Sequence, residues 1–322
     1  MLYPLTFHPI FKERVWGGRE LQRLYHKPLP PGLVIGESWE ISDRPGDVSV
    51  IANGPLAGKD LRWLLEHHGA DLLGRAAADG GRFPLLVKIL DAQDKLSLQV
   101  HPPPAQAAEL GGEPKTEMWY VAKAAPGAEL YVGLKRGVTR TEFERKVRSG
   151  AVAECFHRVS VRSGDAMFLP SGRVHALGAG LVIFEVQQNS DTTYRVFDWN
   201  RPGTDGKLRE LHLTQALASI DFNDFEPALI SAAWTDNGGR KVWPLVRHPL
   251  INVEAHEAGA GTSVALPPEK TQIVCLVAGR AGLCSGQGTL ALAAGQVGLV
   301  PASLSRVVVR AEAPTTFLRV GL

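Results

Sequence analysis

Four side chains in this sequence have the types and spacing to hold one metal ion: Gln99, His101, Glu117 and His175. Polar and apolar residues alternate through Leu96-Ser97-Leu98-Gln99-Val100-His101, so Ser97, Gln99 and His101 share one face of a strand. Gln99 and His101 can then reach the same ion, although an amphipathic strand with a wet face reads identically. Lys115 to Val121 is a second strand with Lys115 and Glu117 on one side, where a surface ion pair is the plain alternative. His175 completes the spacing Gly164-x5-Pro170-x-Gly172-x2-His175. Gly164 permits a tight entry turn, Ala166 to Leu169 supply a strand, and Pro170 with Gly172 sends the histidine back inward. Two imidazoles, a carboxylate and an amide oxygen suit a borderline cation with a position left open to water, as in catalytic zinc sites.

The elements around these residues must carry them to one place. Leu181 to Gln187 reads as a buried strand, with Ile183, Glu185 and Gln187 on one face and Val182, Phe184 and Val186 on the other. It runs out into Asn189-Ser190-Asp191 and then the cations Arg195 and Arg201. Leu85 to Leu90 is apolar except for Lys88, a charge that is costly to bury without a partner. Trp16-Gly17-Gly18 is expected to turn the chain after an extended N-terminal arm. Lys59 to Leu73 is expected to be a helix capped by Asp60, and Thr141-x-x-Glu144 a capping box opening the helix to Arg148. From about Phe225 onward, short strands alternate with glycine turns. Gly295-x5-Pro301 there repeats Gly164-x5-Pro170, but Ser303 and Arg306 follow at the places of Gly172 and His175. The expected division is residues 1–224 as a catalytic half with helical additions and 225–322 as a degenerate, metal-free copy. His212, His248 and His256 fall in no ligand spacing.

Composition limits the partners. Apolar residues are 44% and charged residues 21% of 322, an ordinary balance for a globular chain. A net charge of +2 without a basic block gives no reason to expect nucleic acid or an anionic membrane. No apolar run reaches ~18 residues, and a cytoplasmic location is expected. Cys155, Cys275 and Cys284 lack metal spacing and read as reduced structural thiols.

The Gly164 to His175 spacing is that of the second metal motif of the cupin barrel, and nearly the whole chain resembles the type I mannose-6-phosphate isomerases (phosphomannose isomerases) in their shorter bacterial form. The resemblance runs through Trp16-Gly17-Gly18, Gly36-Glu37-Ser38-Trp39, Leu86-Val87-Lys88-Ile89-Leu90-Asp91, Ser97-x-Gln99-Val100-His101-Pro102, Lys115-Thr116-Glu117, His175-Ala176 and Ser190-Asp191-x-x-x-Arg195. It implies a mainly β bicupin, two jelly-roll barrels with a few flanking helices. It also implies one zinc ion on Gln99, His101, Glu117 and His175, and interconversion of mannose 6-phosphate and fructose 6-phosphate. By the same resemblance Arg195, Lys115 and Glu185 carry active-site roles, and Lys88, Ser97, Arg201, Trp16 and Asp191 contact the sugar phosphate. The chain is too short for the helical insert of longer members, and Leu177 follows the ligand histidine where some members have an aromatic residue.

The chemistry agrees. Aldose–ketose isomerisation moves a proton between adjacent carbons, so an enediolate needs a metal or a cation such as Arg195 beside it. The dianionic phosphate needs fixed donors, for which Lys88, Ser97 and Arg201 are the candidates. Glu185, Lys115 and a metal-bound water all remain open as the proton-transfer base. Two other classes compete: a cupin oxygenase holding iron on His101, Glu117 and His175, and a non-catalytic sugar-binding cupin. The cationic lining disfavours the oxygenase. Oligomeric state is not legible.

Overall fold

The structure is a computed structural model and describes residues 1–74, 81–236 and 238–322. The strands of its first half are β1 (Ile10–Gly18), β2 (Ile35–Ile41), β3 (Asp43–Arg44), β4 (Asp47–Val48), β5 (Leu85–Ala92), β6 (Leu98–Val100), β7 (Glu117–Ala124), β8 (Glu129–Leu134), β9 (Phe156–Ser160), β10 (Ala166–Leu169), β11 (His175–Leu177), β12 (Leu181–Gln188) and β13 (Tyr194–Phe197). Those of the second half are β14 (Thr235–Asp236), β15 (Arg240–Arg247), β16 (Asn252–Ala258), β17 (Ser263–Ala265), β18 (Gln272–Ala278), β19 (Arg280–Ser285), β20 (Gly288–Ala293), β21 (Val297–Val300), β22 (Val308–Ala311) and β23 (Thr315–Gly321). Helices α1 (Glu20–Tyr25), α2 (Leu61–Leu73), α3 (Pro104–Ala107), α4 (Arg140–Arg148) and α5 (Leu213–Ser219) lie between strands of the first half or just after them.

Each half is a pair of antiparallel sheets facing each other, as expected of a mainly β bicupin. A six-stranded sheet β1-β2-β5-β12-β7-β10 faces β13-β6-β11-β8-β9; a six-stranded sheet β14-β15-β16-β23-β18-β21 faces β17-β22-β19-β20. Apart from β13 and the small β3-β4 hairpin, the second half repeats the strand order of the first. Both copies enter their repeated turn through a glycine in the left-handed region, Gly164 at φ 94° and Gly295 at φ 82°.

The alternation along β12 sorts its side chains as the sequence predicts. Val182, Phe184 and Val186 join a core shared with Val87, Ile89 and Met118 and with Trp243, Val253, Ile273, Leu318 and Val320 of the second half. The two large sheets therefore pack back to back. Burying each such side chain contributes roughly 1.5–3 kcal/mol. Ile183 turns the other way, into a cluster with Trp16, Leu90 and Trp119 inside the first sandwich, and that interior also holds Glu185 and Gln187. The N-terminal segment is stitched to the far half, because Leu5 and Leu299 exchange backbone hydrogen bonds of 2.8 Å. Residues just past 224 still hold to the first sandwich: Phe225 bridges Leu134, and Ile230 N–H donates to the Ala166 carbonyl at 2.9 Å.

Two local expectations change. Trp16-Gly17-Gly18 ends β1 instead of turning the chain, with the β1–β2 register shifting between Glu13 and Gly18. A Cβ on Gly17 would come 2.4 Å from the Gly36 nitrogen, so glycine there permits the close approach of β2. Helix α4 begins one residue before Thr141, and its cap is Thr139, whose hydroxyl accepts from Glu142 N–H at 3.2 Å. Helix α2 follows expectation, with the Asp60 carboxylate accepting from Trp63 N–H at 2.7 Å. Among the described residues no helix is long and apolar enough to cross a membrane, and the three cysteines are unpaired.

Candidate functional site

Strand register assembles the centre. His175 opens β11 directly opposite Gln99 of β6, and Arg195 of β13 lies across Gln99 on the other side. On the facing sheet, Gln187 of β12 opposes Glu117 of β7, and Glu185 opposes both Trp119 and Lys88. The potential ligand atoms of His101, Glu117 and His175 lie within 4.8 Å of one another. Glu117 Oε1 is 3.2 Å from His175 Nε2, and Oε2 is 3.4 Å from His101 Nε2. The Nδ1 of His175 meets the Arg173 carbonyl at 2.9 Å, which fixes the ring and leaves Nε2 toward the carboxylate. Gln99 turns its amide to His175 Nε2 at 3.3 Å, and the opposite amide orientation would present the oxygen there.

These residues fit a metal on their own terms. Glu117 is fully buried, and neither of its oxygens accepts a hydrogen bond. The Lys115 ammonium stands 3.2 Å from Glu117 Oε2 and 3.3 Å from His101 Nε2. Burial opposes the Glu117 charge, but Lys115 and His101 hold its carboxyl well below the usual range. Burial and the Lys115 charge push the His101 imidazole down to about 3, and burial lowers His175 as well. A buried carboxylate that accepts no hydrogen bond, beside two neutral imidazoles, is the donor set that a cation of zinc's type completes.

Above this trio opens a cavity of about 500 Å³. It brings together Trp16, Lys88, Ser97, Gln99, Lys115, Glu185, Asp191 and Arg195 from the sequence reading. Arg201 is not part of its lining. Its guanidinium is held by Asp94 at 2.9 Å and Asp198 at 3.0 Å, so two carboxylates already answer its charge. Lys88 is also compensated: it lies 3.5 Å from both Glu37 and Glu185 and 4.9 Å over the Trp39 ring. Burial works against the Lys88 charge, but those two carboxylates raise its pKa. Glu37 is driven up by burial yet held at about 2 by Lys88 and Arg14. Burial and nearby Glu117 raise Glu185, which accepts from Trp119 Nε1–H at 2.8 Å.

Arg195 differs from the other cations. Among the described residues it pairs with no carboxylate, including Asp191, and its buried Nε has no hydrogen-bond partner. Burial and neighbouring Arg209 lower its pKa. The sequence reading missed Arg14, Glu37, Arg209 and His212 as lining residues. Glu37 lay within a quoted motif; Arg14, Arg209 and His212 had no spacing to mark them.

Fold and site together define a bicupin that has, among the described residues, one candidate metal centre beneath a cation-rich cavity. A model of the type I phosphomannose isomerase catalytic domain matches residues 5–118. Mannose-6-phosphate isomerase ManA of Bacillus subtilis is 43% identical over 220 residues, 68% of each chain. The mannose-6-phosphate isomerase of Streptococcus mutans is 38% identical over 254 residues, 79% of this chain and 78% of that one. The crystal structure of a mannose 6-phosphate isomerase from Bacillus subtilis matches with a TM-score of 0.90 over all of both chains, at 30% identity. A variant of the Salmonella typhimurium phosphomannose isomerase, 18% identical over 99% of each chain, shares the fold with a TM-score of 0.78. The chain belongs to the type I phosphomannose isomerase family.

Proposed function

We propose that this chain is a cytoplasmic, zinc-dependent enzyme of carbohydrate metabolism that interconverts mannose 6-phosphate and fructose 6-phosphate through an enediolate. The carrying observation is a buried carboxylate, Glu117, that accepts no hydrogen bond and lies between two imidazoles, beneath a cavity that also holds Arg195, which among the described residues pairs with no carboxylate. His101, Glu117, His175 and Gln99 would hold one zinc ion, which when bound supplies Lewis-acid polarisation of the sugar's oxygens. Residues 1–224 carry this chemistry, and 225–322 have no part in the metal centre.

The chain's own residues supply the rest. Arg195 would face the charge that develops as the proton leaves carbon, and among the described residues no carboxylate ion-pairs it away from that role. Glu185 and Lys115 are this chain's own candidates for carrying a proton between adjacent carbons, and Trp119 and Lys88 hold the Glu185 carboxylate. For the phosphate, Arg209 replaces the expected Arg201. Asp198 grips Arg209 through Nε at 2.6 Å and Nη2 at 2.7 Å, and Arg209 lines the cavity with Ser97 and Thr204. Trp16 and Asp191 border the sugar.

The test is turnover on mannose 6-phosphate after chelation and reconstitution with zinc or iron, with and without oxygen. Zinc-restored, oxygen-independent interconversion is expected. An absolute oxygen requirement would establish the oxygenase class, and binding without turnover a sugar-binding module.

A further inference from the structure

The second sandwich has a cavity of its own, about 330 Å³. Register makes it the counterpart of the first. Glu117 opposes Leu169, five residues after Gly164; Gln272 opposes Val300, five after Gly295. Glu185 stands two residues before Gln187, the other partner of Glu117; Arg319 stands two before Gly321, the other partner of Gln272. Lys88 opposes Glu185, and Glu254 opposes Arg319. His175 opposes Gln99, and Val308 opposes Ala265. The places of Gln99, His101, Glu117 and His175 are thus held by Ala265, Pro267, Gln272 and Val308. The ion pair across the central strands is also turned round in sign.

This cavity remains polar without its ligand set. Among the described residues Glu254 is the one carboxylate that lines it, and its charge is answered by Arg319 Nε at 3.0 Å and Nη2 at 2.8 Å. Arg319 Nη1 in turn donates to Gln272 Oε1 at 2.9 Å. Arg240 and Arg247 line the cavity and, among the described residues, pair with no carboxylate, and the buried Nε of Arg240 has no hydrogen-bond partner. His256 is 3% exposed and lies flat on Phe317, with ring centroids 4.7 Å apart and planes 2° apart. Its Nε2 is 3.2 Å from Glu254 Oε2, and the neutral tautomer that donates there leaves the unpartnered Nδ1 as an acceptor. Two unpaired guanidinium groups and one buried acceptor describe a ligand with an oxyanion and a hydroxyl.

We propose that the second cavity binds a small hydroxylated organic anion, a phosphate or a carboxylate, with Arg240 and Arg247 on the oxyanion and His256 Nδ1 on the hydroxyl. Equilibrium dialysis of the full-length, zinc-loaded protein with glycerol 3-phosphate and, separately, with D-glycerate tests it. The double variant Arg240→Gln/Arg247→Gln should bind one equivalent fewer of at least one probe, and the probe affected identifies the anion. Its thermal midpoint and its kcat/KM on mannose 6-phosphate should match the wild type. His256→Phe, which keeps the stack on Phe317, should weaken the same probe about tenfold, the loss of one hydrogen bond. Equal stoichiometry and affinity of wild type and double variant for both probes overturns the proposal.

Discussion

The two sandwiches of this chain share strand order, entry turns and a cavity between their sheets, and they differ in a handful of inward side chains. In the first, Lys88 opposes Glu185, and His101 and His175 converge on Glu117. In the second, Glu254 opposes Arg319, and valine, proline, alanine and glutamine hold the ligand places. The backbone tolerates either chemistry because the residues that set its turns and register, such as Gly164 and Gly295, are separate from those that fill the interior.

The comparison breaks most readily at the metal. His101→Ala or His175→Ala should remove stoichiometric zinc and nearly all turnover from a folded protein, while Glu254→Gln should leave both untouched. Metal analysis of the purified variants checks this, and full zinc occupancy in either histidine variant would end the assignment. Next in size is Arg195→Ala, expected to lower kcat on mannose 6-phosphate by about a hundredfold with zinc content and KM little changed. A raised KM at normal kcat would move Arg195 to the phosphate. Arg209→Ala should cost roughly 1.5–3 kcal/mol in binding the phosphorylated sugar and leave free mannose unaffected. Arg201→Ala, tested in parallel, should show the smaller discrimination of the two.

The smallest effect belongs to the second half. The His256 hydrogen bond, with Arg319, holds Glu254 down at about 2 against an ordinary 4.5. A depressed carboxyl stabilises the fold above its unfolded pKa and loses that contribution as pH falls from about 4.5 toward 2. Glu254→Gln should flatten this part of the acid limb in denaturant titrations. An unchanged limb would show that Glu254 is no more strongly held in the folded chain than in the unfolded one.

Periodicity carried much of this architecture in the sequence. The inward face of β12 and the pairing of Lys115 with Glu117 follow from alternation alone, because a strand has only two faces. Spacing counts failed where loop lengths differ. Arg306 matches His175 by count, but the second loop is longer, and Val308 takes the place in the sheet. Thr139 displaced Thr141 as the α4 cap for a related reason, since both are threonines near the helix start and only the backbone path selects one. Arg14 and Arg209 reach the cavity from strand β1 and from the loop after β13, and no local pattern records such an approach. Arg201 and Arg209 are both arginines of that loop and both pair with Asp198; Arg201 is tied to Asp94 as well, and of the two Arg209 lines the cavity.

The core shared by the two large sheets bears on how the chain folds. It needs Leu318 and Val320 from β23 to cover Val87, Ile89 and Phe184 of the first half. The Leu5–Leu299 bridge likewise waits for residues near the carboxyl end. A chain that lacks β23 leaves an apolar sheet face uncovered, so the core of the first half closes only once the second half is present.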